Sequence, residues 1–115
     1  MSESCLFCRI VAKEIPVTYA YEDEQVVAFD DINQQAPIHI LVIPKRHIRG
    51  AGALTAQDND LVGHIFQVVN QLAVKNGVAA TGYRIVTNNG DAAGQSVDHL
   101  HFHLLGGRDL GWPPG

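Results

Sequence analysis

The stretch Asp98-His99-Leu100-His101-Phe102-His103-Leu104-Leu105, followed at once by Gly106-Gly107-Arg108, decides how the rest of the chain is read. Three of the six histidines fall here at every second position, with apolar residues between them. A period of two is that of a β-strand, in which alternate side chains share a face. The spacing predicts a strand that turns His99, His101 and His103 to one side and buries Leu100, Phe102 and Leu104 on the other. A solvated His-rich face or a His-rich metal-binding tract would show the same spacing, so the row alone assigns no function. It does set a limit. Strand residues rise about 3.3 Å each, which puts the Cα atoms of His99 and His103 about 13 Å apart. With Zn–N bonds of about 2 Å, one ion cannot take all three imidazoles, although adjacent members can share one. The three histidines therefore have separate tasks, and the middle ring is the natural place for chemistry. Neutral imidazole is a nucleophile toward phosphorus, and an unperturbed pKa of about 6.5 lets a neighbouring ring carry a proton at neutral pH.

A chain of 115 residues has room for one core, so residues 1–115 read as a single domain. With 46% hydrophobic residues it is expected to be globular rather than disordered. The formal net charge of −4 argues against a general nucleic-acid binder, which carries a basic patch or stripe. No apolar run approaches the roughly 18 residues that span a membrane. Met1-Ser2-Glu3-Ser4 has neither the basic nor the apolar region of a signal peptide, so a cytoplasmic location is expected.

Both cysteines lie in Cys5-Leu6-Phe7-Cys8. A permanent disulfide is not expected in a reducing compartment, and no βαβ unit follows to support a thioredoxin-like pair. Two unrelated buried thiols and half of a zinc site both remain open, the second needing two further ligands. Beyond the cysteines, Phe7–Ala12 reads as a short helix ended before Pro16. Val17–Tyr21 and Gln25–Phe29 read as two strands of a hairpin, followed by a polar loop over residues 30–37. Ile38–Ile43 is a nearly continuous apolar run stopped by Pro44, the pattern of a central strand. His39 interrupts it, and read alone it fits a hydrogen-bonded core histidine better than a ligand.

Thr55-Ala56-Gln57-Asp58 offers a capping box for one long helix, along which Leu61, Val62, Ile65, Phe66, Val69, Leu72 and Ala73 recur at helical spacing until Gly77 stops it. Val68 widens the stripe, which fits either a wide core face or a second, intermolecular contact. Tyr83–Thr87 reads as a strand, and Asn88–Ser96 as a small-residue loop able to present N–H groups to an anion, or to serve as a plain connector. The tail over residues 106–115 is expected to be ordered if Trp112 is buried. Strands outnumber helices and connections are short, so the fold class is α+β with an antiparallel sheet.

The row His99-x-His101-x-His103-Leu104-Leu105 resembles the signature of the histidine triad superfamily. Further segments resemble its nucleotide-binding branch: Asp31-Ile32, Gln35-Ala36-Pro37-x-His39, Val42-Ile43-Pro44-Lys45, His47-Ile48, Gly82-Tyr83-Arg84, Gly94-Gln95-Ser96-Val97, and Gly106-Gly107-Arg108 with Gly111-Trp112-Pro113-Pro114-Gly115. The similarity runs in order along nearly the whole chain. It implies a five-stranded antiparallel sheet with one long and one short helix, two copies pairing as a homodimer into a ten-stranded sheet. It also implies hydrolysis of purine nucleoside 5′-phosphoramidates through a nucleotidyl-histidine intermediate. By motif position His101 looks like the nucleophile, His103 like the group that meets phosphate and protonates the leaving amine, and His39 like a supporting histidine. Asp31 resembles the acid that holds the ribose hydroxyls, and Asn88, Gln95 and Ser96 match phosphate-side positions. Phe7, Ile10, Phe29 and Ile32 fall where the base pocket lies, although Ile10, Phe29 and Ile32 are equally ordinary core residues and Asp31 a loop cap. Trp112 lies in a tail that, in the branch it resembles, approaches the partner's site. Some bacterial relatives bind zinc through an N-terminal C-x-x-C, a histidine after the Pro-Lys turn and the first triad histidine. Cys5, Cys8, His47 and His99 stand at those places, so a structural zinc is expected.

Two features depart from the branch. Asp98 stands where an aromatic residue is common, and Asn89-Gly90-Asp91-Ala92-Ala93 differs in composition, which leaves the leaving-group preference open. Two alternative functions are a dinucleoside polyphosphate hydrolase and a zinc-stabilised nucleotide-binding adaptor. A transferase branch is disfavoured because His103 stands where that branch has Gln.

Overall fold

A computed structural model describes residues 4–115. Helix α1 (Leu6–Val11) is followed by β1 (Tyr19–Glu22), β2 (Val26–Asp30), β3 (Ile38–Pro44), the long helix α2 (Asn59–Lys75), β4 (Tyr83–Val86) and β5 (Phe102–Gly106). The strands form one sheet in the order β1-β2-β3-β5-β4, antiparallel at every pairing. The expected α+β class, with five antiparallel strands and one long and one short helix, is what the chain adopts. Among the described residues no helix is long and apolar enough to cross a membrane.

Both sheet faces are covered, which explains why β2 and β3 read as continuous apolar runs. Val26, Ala28, Ile40 and Val42 join Leu100, Phe102, Leu104 and the inner face of α2 in one core. Val27, Phe29, Leu41 and Ile43 face the other way and pack with Phe7 and Ile10 of α1 and with the two cysteines. Phe66 of α2 meets Phe102 edge-on, with ring centroids 5.7 Å apart. Val68 is fully buried in the first core, so its place in the stripe is explained by the core alone. The capping box is present, but it heads a single 3-10 turn (Ala56–Asp58) that leads into α2. Thr55 N–H donates to Asp58 Oδ2 at 2.9 Å, while Arg46 bonds the other oxygen of the same carboxylate. Gly77, with φ of 76°, ends α2 in the left-handed region that a Cβ disfavours.

The histidine row differs from its expected form in one respect. Only Phe102–Gly106 is paired as strand, and residues 98–101 run ahead of it without a ladder. The reason is local. Opposite them β3 ends at Pro44, whose carbonyl is occupied by the His99 ring (Nε2 to O, 2.8 Å), while Leu100 N–H donates to Ile48 O. A proline supplies no N–H to extend the pairing. The alternation of faces persists: Leu100 joins the α2-side core, and His99 and His101 lie against Phe7 of α1. The tail differs too. Trp112 is 83% exposed, and the segment is held instead by Arg84, which donates to Gly111 O at 2.8 Å.

Candidate active site and metal centre

The sheet face under α1 gathers four of the six histidines, and the hydrogen bonds among them fix where each proton sits. His99 Nε2 lies 2.8 Å from the Pro44 carbonyl, which can only accept, so Nε2 carries the hydrogen and Nδ1 is a bare lone pair. His101 Nδ1 lies 2.7 Å from the His99 carbonyl, so there the hydrogen is on Nδ1 and Nε2 is bare. Gln35 N–H donates to His39 Nδ1 at 3.1 Å, which leaves the His39 hydrogen on Nε2. That atom is 2.8 Å from His103 Nδ1, which must then accept, so His103 carries its own hydrogen on Nε2. Three rings two residues apart thus hold two tautomers: His99 and His103 carry their hydrogen on Nε2, and His101 carries it on Nδ1.

Burial disfavours the charged form of His39, His99 and His103. Desolvation lowers the pKa of His103 to about 4, helped by its neighbours His101 and His39 and opposed by Asp31. The same effect lowers His39, again against the pull of Asp31, whose Oδ2 lies 3.4 Å from His39 Nε2. His99 is also lowered, by burial first, with the Pro44 bond working in the opposite direction. Among the described residues every buried side-chain nitrogen or oxygen has a partner.

His101 and His103 border a cleft of about 300 Å³. Phe7, Ile10, Phe29, Leu41 and Val97 make its apolar wall, and Asp31 and Ser96 its polar edge. Phe7 stands edge-on to both Phe29 and His101, at 5.6 and 5.1 Å between centroids. An apolar slot with a few convergent polar groups suits a planar base carrying a polar tail. Ile32 lines the mouth fully exposed, so it is not a core residue. Asp31 does cap its loop (Oδ1 accepts from Asn33 N–H at 2.9 Å), yet its second oxygen remains on the His39 side. The carboxylate thus serves the loop and the cleft at once.

Other expected residues lie elsewhere. Gln95 is engaged in its own loop, accepting from Gly90 N–H at 2.8 Å and donating to Arg49 O and Val97 O. It borders a separate polar cleft that also includes Asp98. Asn88 opens that loop and does not line the histidine cleft. Trp112 stands exposed in the tail. Conversely, Leu41 and Val97 line the cleft although their sequence context does not mark them, since an apolar residue in an apolar run carries no sign of the face it serves.

The four expected metal ligands come together. Cys5 Sγ, Cys8 Sγ and one nitrogen each of His47 and His99 all lie within 4.8 Å of one another. Cys8 Sγ is 3.2 Å from His47 Nδ1 and 3.5 Å from His99 Nδ1, and Cys5 Sγ is 3.4 Å from His99 Nδ1. Tetrahedral zinc with ordinary Zn–S and Zn–N bonds places sulfur and nitrogen about 3.5 Å apart, so the donor set fits the ion. The bond from His99 Nε2 to Pro44 turns Nδ1 inward toward the two sulfurs, the orientation a ligand nitrogen would need. Without an ion, burial and the neighbouring Cys5 push the Cys8 thiol up to about 11. A second group, Asp31, His39 and His103, also has ligand atoms this close, but in it one proton already bridges the two rings.

These features define an α+β protein with four histidines gathered on one sheet face, over an apolar cleft and beside a cysteine–histidine cluster. The chain belongs to the HIT domain family, whose model matches residues 12–110. It is 50% identical over all 115 residues to a HIT-like protein of Synechococcus elongatus, covering 100% of both chains. It is 47% identical over 112 residues to the 14 kDa zinc-binding protein of Zea mays, covering 96% of this chain and 87% of that one. A HIT family hydrolase from Legionella pneumophila superposes with a TM-score of 0.96 at 46% identity, covering 97% of this chain and 100% of the other.

Proposed function

We propose that the protein hydrolyses purine nucleoside 5′-phosphoramidates, with His101 as nucleophile and His103 as proton donor. The observation that carries this reading is the pair of opposite proton positions at the cleft: a bare His101 Nε2 next to a His103 that bears hydrogen on Nε2. Attack by His101 Nε2 forms an N–P bond as the P–N bond to the amine breaks. His103 gives its Nε2 proton to the departing amine, which leaves neutral, and takes a replacement proton from solvent, so that the ring stays neutral. Water then attacks phosphorus, the bond to His101 breaks, and the water's proton passes through His103 back to solvent. A nucleoside monophosphate and an amine are the products. Asp31 is suited to a ribose diol, since a carboxylate accepts two hydroxyl bonds, and the apolar wall to the base. The kinship with proteins titled hydrolases supports the reaction class.

Zinc at Cys5, Cys8, His47 and His99 has a structural part in this proposal. Bound there, it ties α1 to the loop after β3 and to the residues before β5. The proposed homodimer is supported by the open edge of β4 in the sheet order and by exposed Phe66 and Val74 on α2. Trp112, exposed in a tail anchored to β4 by Arg84, is available to a second subunit.

The test is turnover of an adenosine 5′-phosphoramidate by the wild type and by His101→Ala, with trapping of the nucleotidyl-enzyme. Turnover that disappears in the variant is expected. A wild type without turnover, or an active variant, overturns the proposal.

A further inference from the structure

We infer that Arg108, outside the cleft and some distance along the tail, is a positioning residue that keeps the transferable proton on the outward nitrogen of His103. The inference rests on the proposed reaction for its kinetic part and on the hydrogen-bond pattern alone for the rest.

An imidazole donates from Nε2 only while its hydrogen is there, and the partner at Nδ1 decides that. At His103 the partner is His39 Nε2, 2.8 Å away. One proton lies between the two nitrogens. If it belongs to His39, His103 keeps its own hydrogen on Nε2. If it belongs to His103, the cleft is offered a bare nitrogen and no acid. The choice falls to the far side of His39, where Gln35 N–H meets Nδ1 at 3.1 Å and makes that atom an acceptor. Gln35 sits in an exposed loop with no strand to hold it. Its carbonyl is held by Arg108, whose Nε donates across 2.9 Å from 73 residues further along the chain.

The strap is set up by the sheet. Ile38 pairs with Gly106 at the end of the β3–β5 ladder, so the tail and the loop leave the sheet side by side. Gly107 then adopts φ of 90° with its Cα against Pro37, where an added Cβ would stand 3.0 Å from the proline Cβ. That turn aims Arg108 back at Gln35, and a second bond from Arg108 to Asp109 O at 2.9 Å fixes the guanidinium. The chain of contacts is Arg108, Gln35, His39, His103. Arg108 touches no reacting atom.

The test uses Arg108→Met, which keeps the length and removes the donors, and Arg108→Lys, which restores one. Two adenylate substrates are compared: a phosphoramidate with an alkylamine leaving group, which must be protonated to leave, and a 4-nitrophenyl ester, which leaves as the anion. Both need the same attack by His101. In Arg108→Met, kcat for the phosphoramidate is expected to fall about tenfold with KM unchanged, against less than about twofold for the ester, because only the proton-transfer part is impaired. Arg108→Lys is expected to recover part of the loss. Long-range proton–nitrogen correlation spectra of labelled protein read the His103 tautomer directly, and a shift of hydrogen from Nε2 to Nδ1 is expected in Arg108→Met. An unchanged ratio of the two rates, or an unchanged tautomer, overturns the inference. If the wild type cleaves neither substrate, the proposed reaction falls, and the tautomer in the two proteins still decides the role of Arg108.

Discussion

Acidification is expected to destabilise the protein through His103 before the carboxylates titrate. Burial and two neighbouring imidazoles take this ring from 6.5 to about 4 in the folded chain. The folded state therefore prefers the neutral ring, and as the pH falls below 6.5 the unfolded chain takes up a proton that the folded chain refuses. The stabilisation is complete above the unfolded value and is lost as the pH drops toward about 4. A shift of that size, at about 1.4 kcal/mol per unit, sets a ceiling of about 3 kcal/mol. The ring borders an open cleft, so water reaching it reduces the figure, and about 1.5–3 kcal/mol is expected between pH 7 and pH 4. The assay is urea unfolding at stepped pH for the wild type and for His103→Gln, which does not titrate and can still accept from His39. Groups away from His103, including His99 and the cysteine cluster, act in both proteins and cancel in the difference. The wild-type stability is expected to fall more steeply by that amount. Parallel curves for the two proteins would refute the burial of His103 as a neutral ring.

Three further outcomes are expected. Phe7→Ala removes a buried ring that touches Phe29, His99 and His101, and should cost about 3–5 kcal/mol in thermal or urea unfolding while weakening adenosine monophosphate binding in calorimetry. Gly106→Ala drives a Cβ to 2.9 Å from Val78 Cβ at the end of β5, and a loss of about 1–3 kcal/mol should appear in the urea midpoint without loss of metal. Elemental analysis of protein purified without chelator should find about one zinc per chain, falling to none in Cys5→Ser with Cys8→Ser, and chelation should lower the unfolding temperature. Metal content indifferent to both cysteines would remove the four-ligand site.

Much of the fold was legible because periodicity and burial are local. The apolar run over Ile38–Pro44 marked a central strand, and β3 lies between β2 and β5. The alternation in the histidine row correctly separated Leu100, Phe102 and Leu104 from the rings even where no ladder forms. What failed did so where a single long-range contact decided the matter. The row was expected to be strand throughout, but the ring of His99 occupies the Pro44 carbonyl. Burial of Trp112 would have ordered the tail, but Trp112 is exposed and Arg84 supplies an anchor instead. Val68 had two explanations on a helical wheel, and only the packing of α2 on the sheet chose between them.

The sequence by itself determined that three imidazoles share one face and cannot share one ion, and its motifs placed the chain in its family. Their protonation states were decided only in the tertiary structure. A histidine has two nitrogens, and nothing in its neighbours along the chain says which one is bare. That depends on the carbonyls of Pro44 and His99 and on the N–H of Gln35, backbone groups that every sequence contains. Folding brings each of them to one particular ring, and the tautomers within the row follow from those contacts.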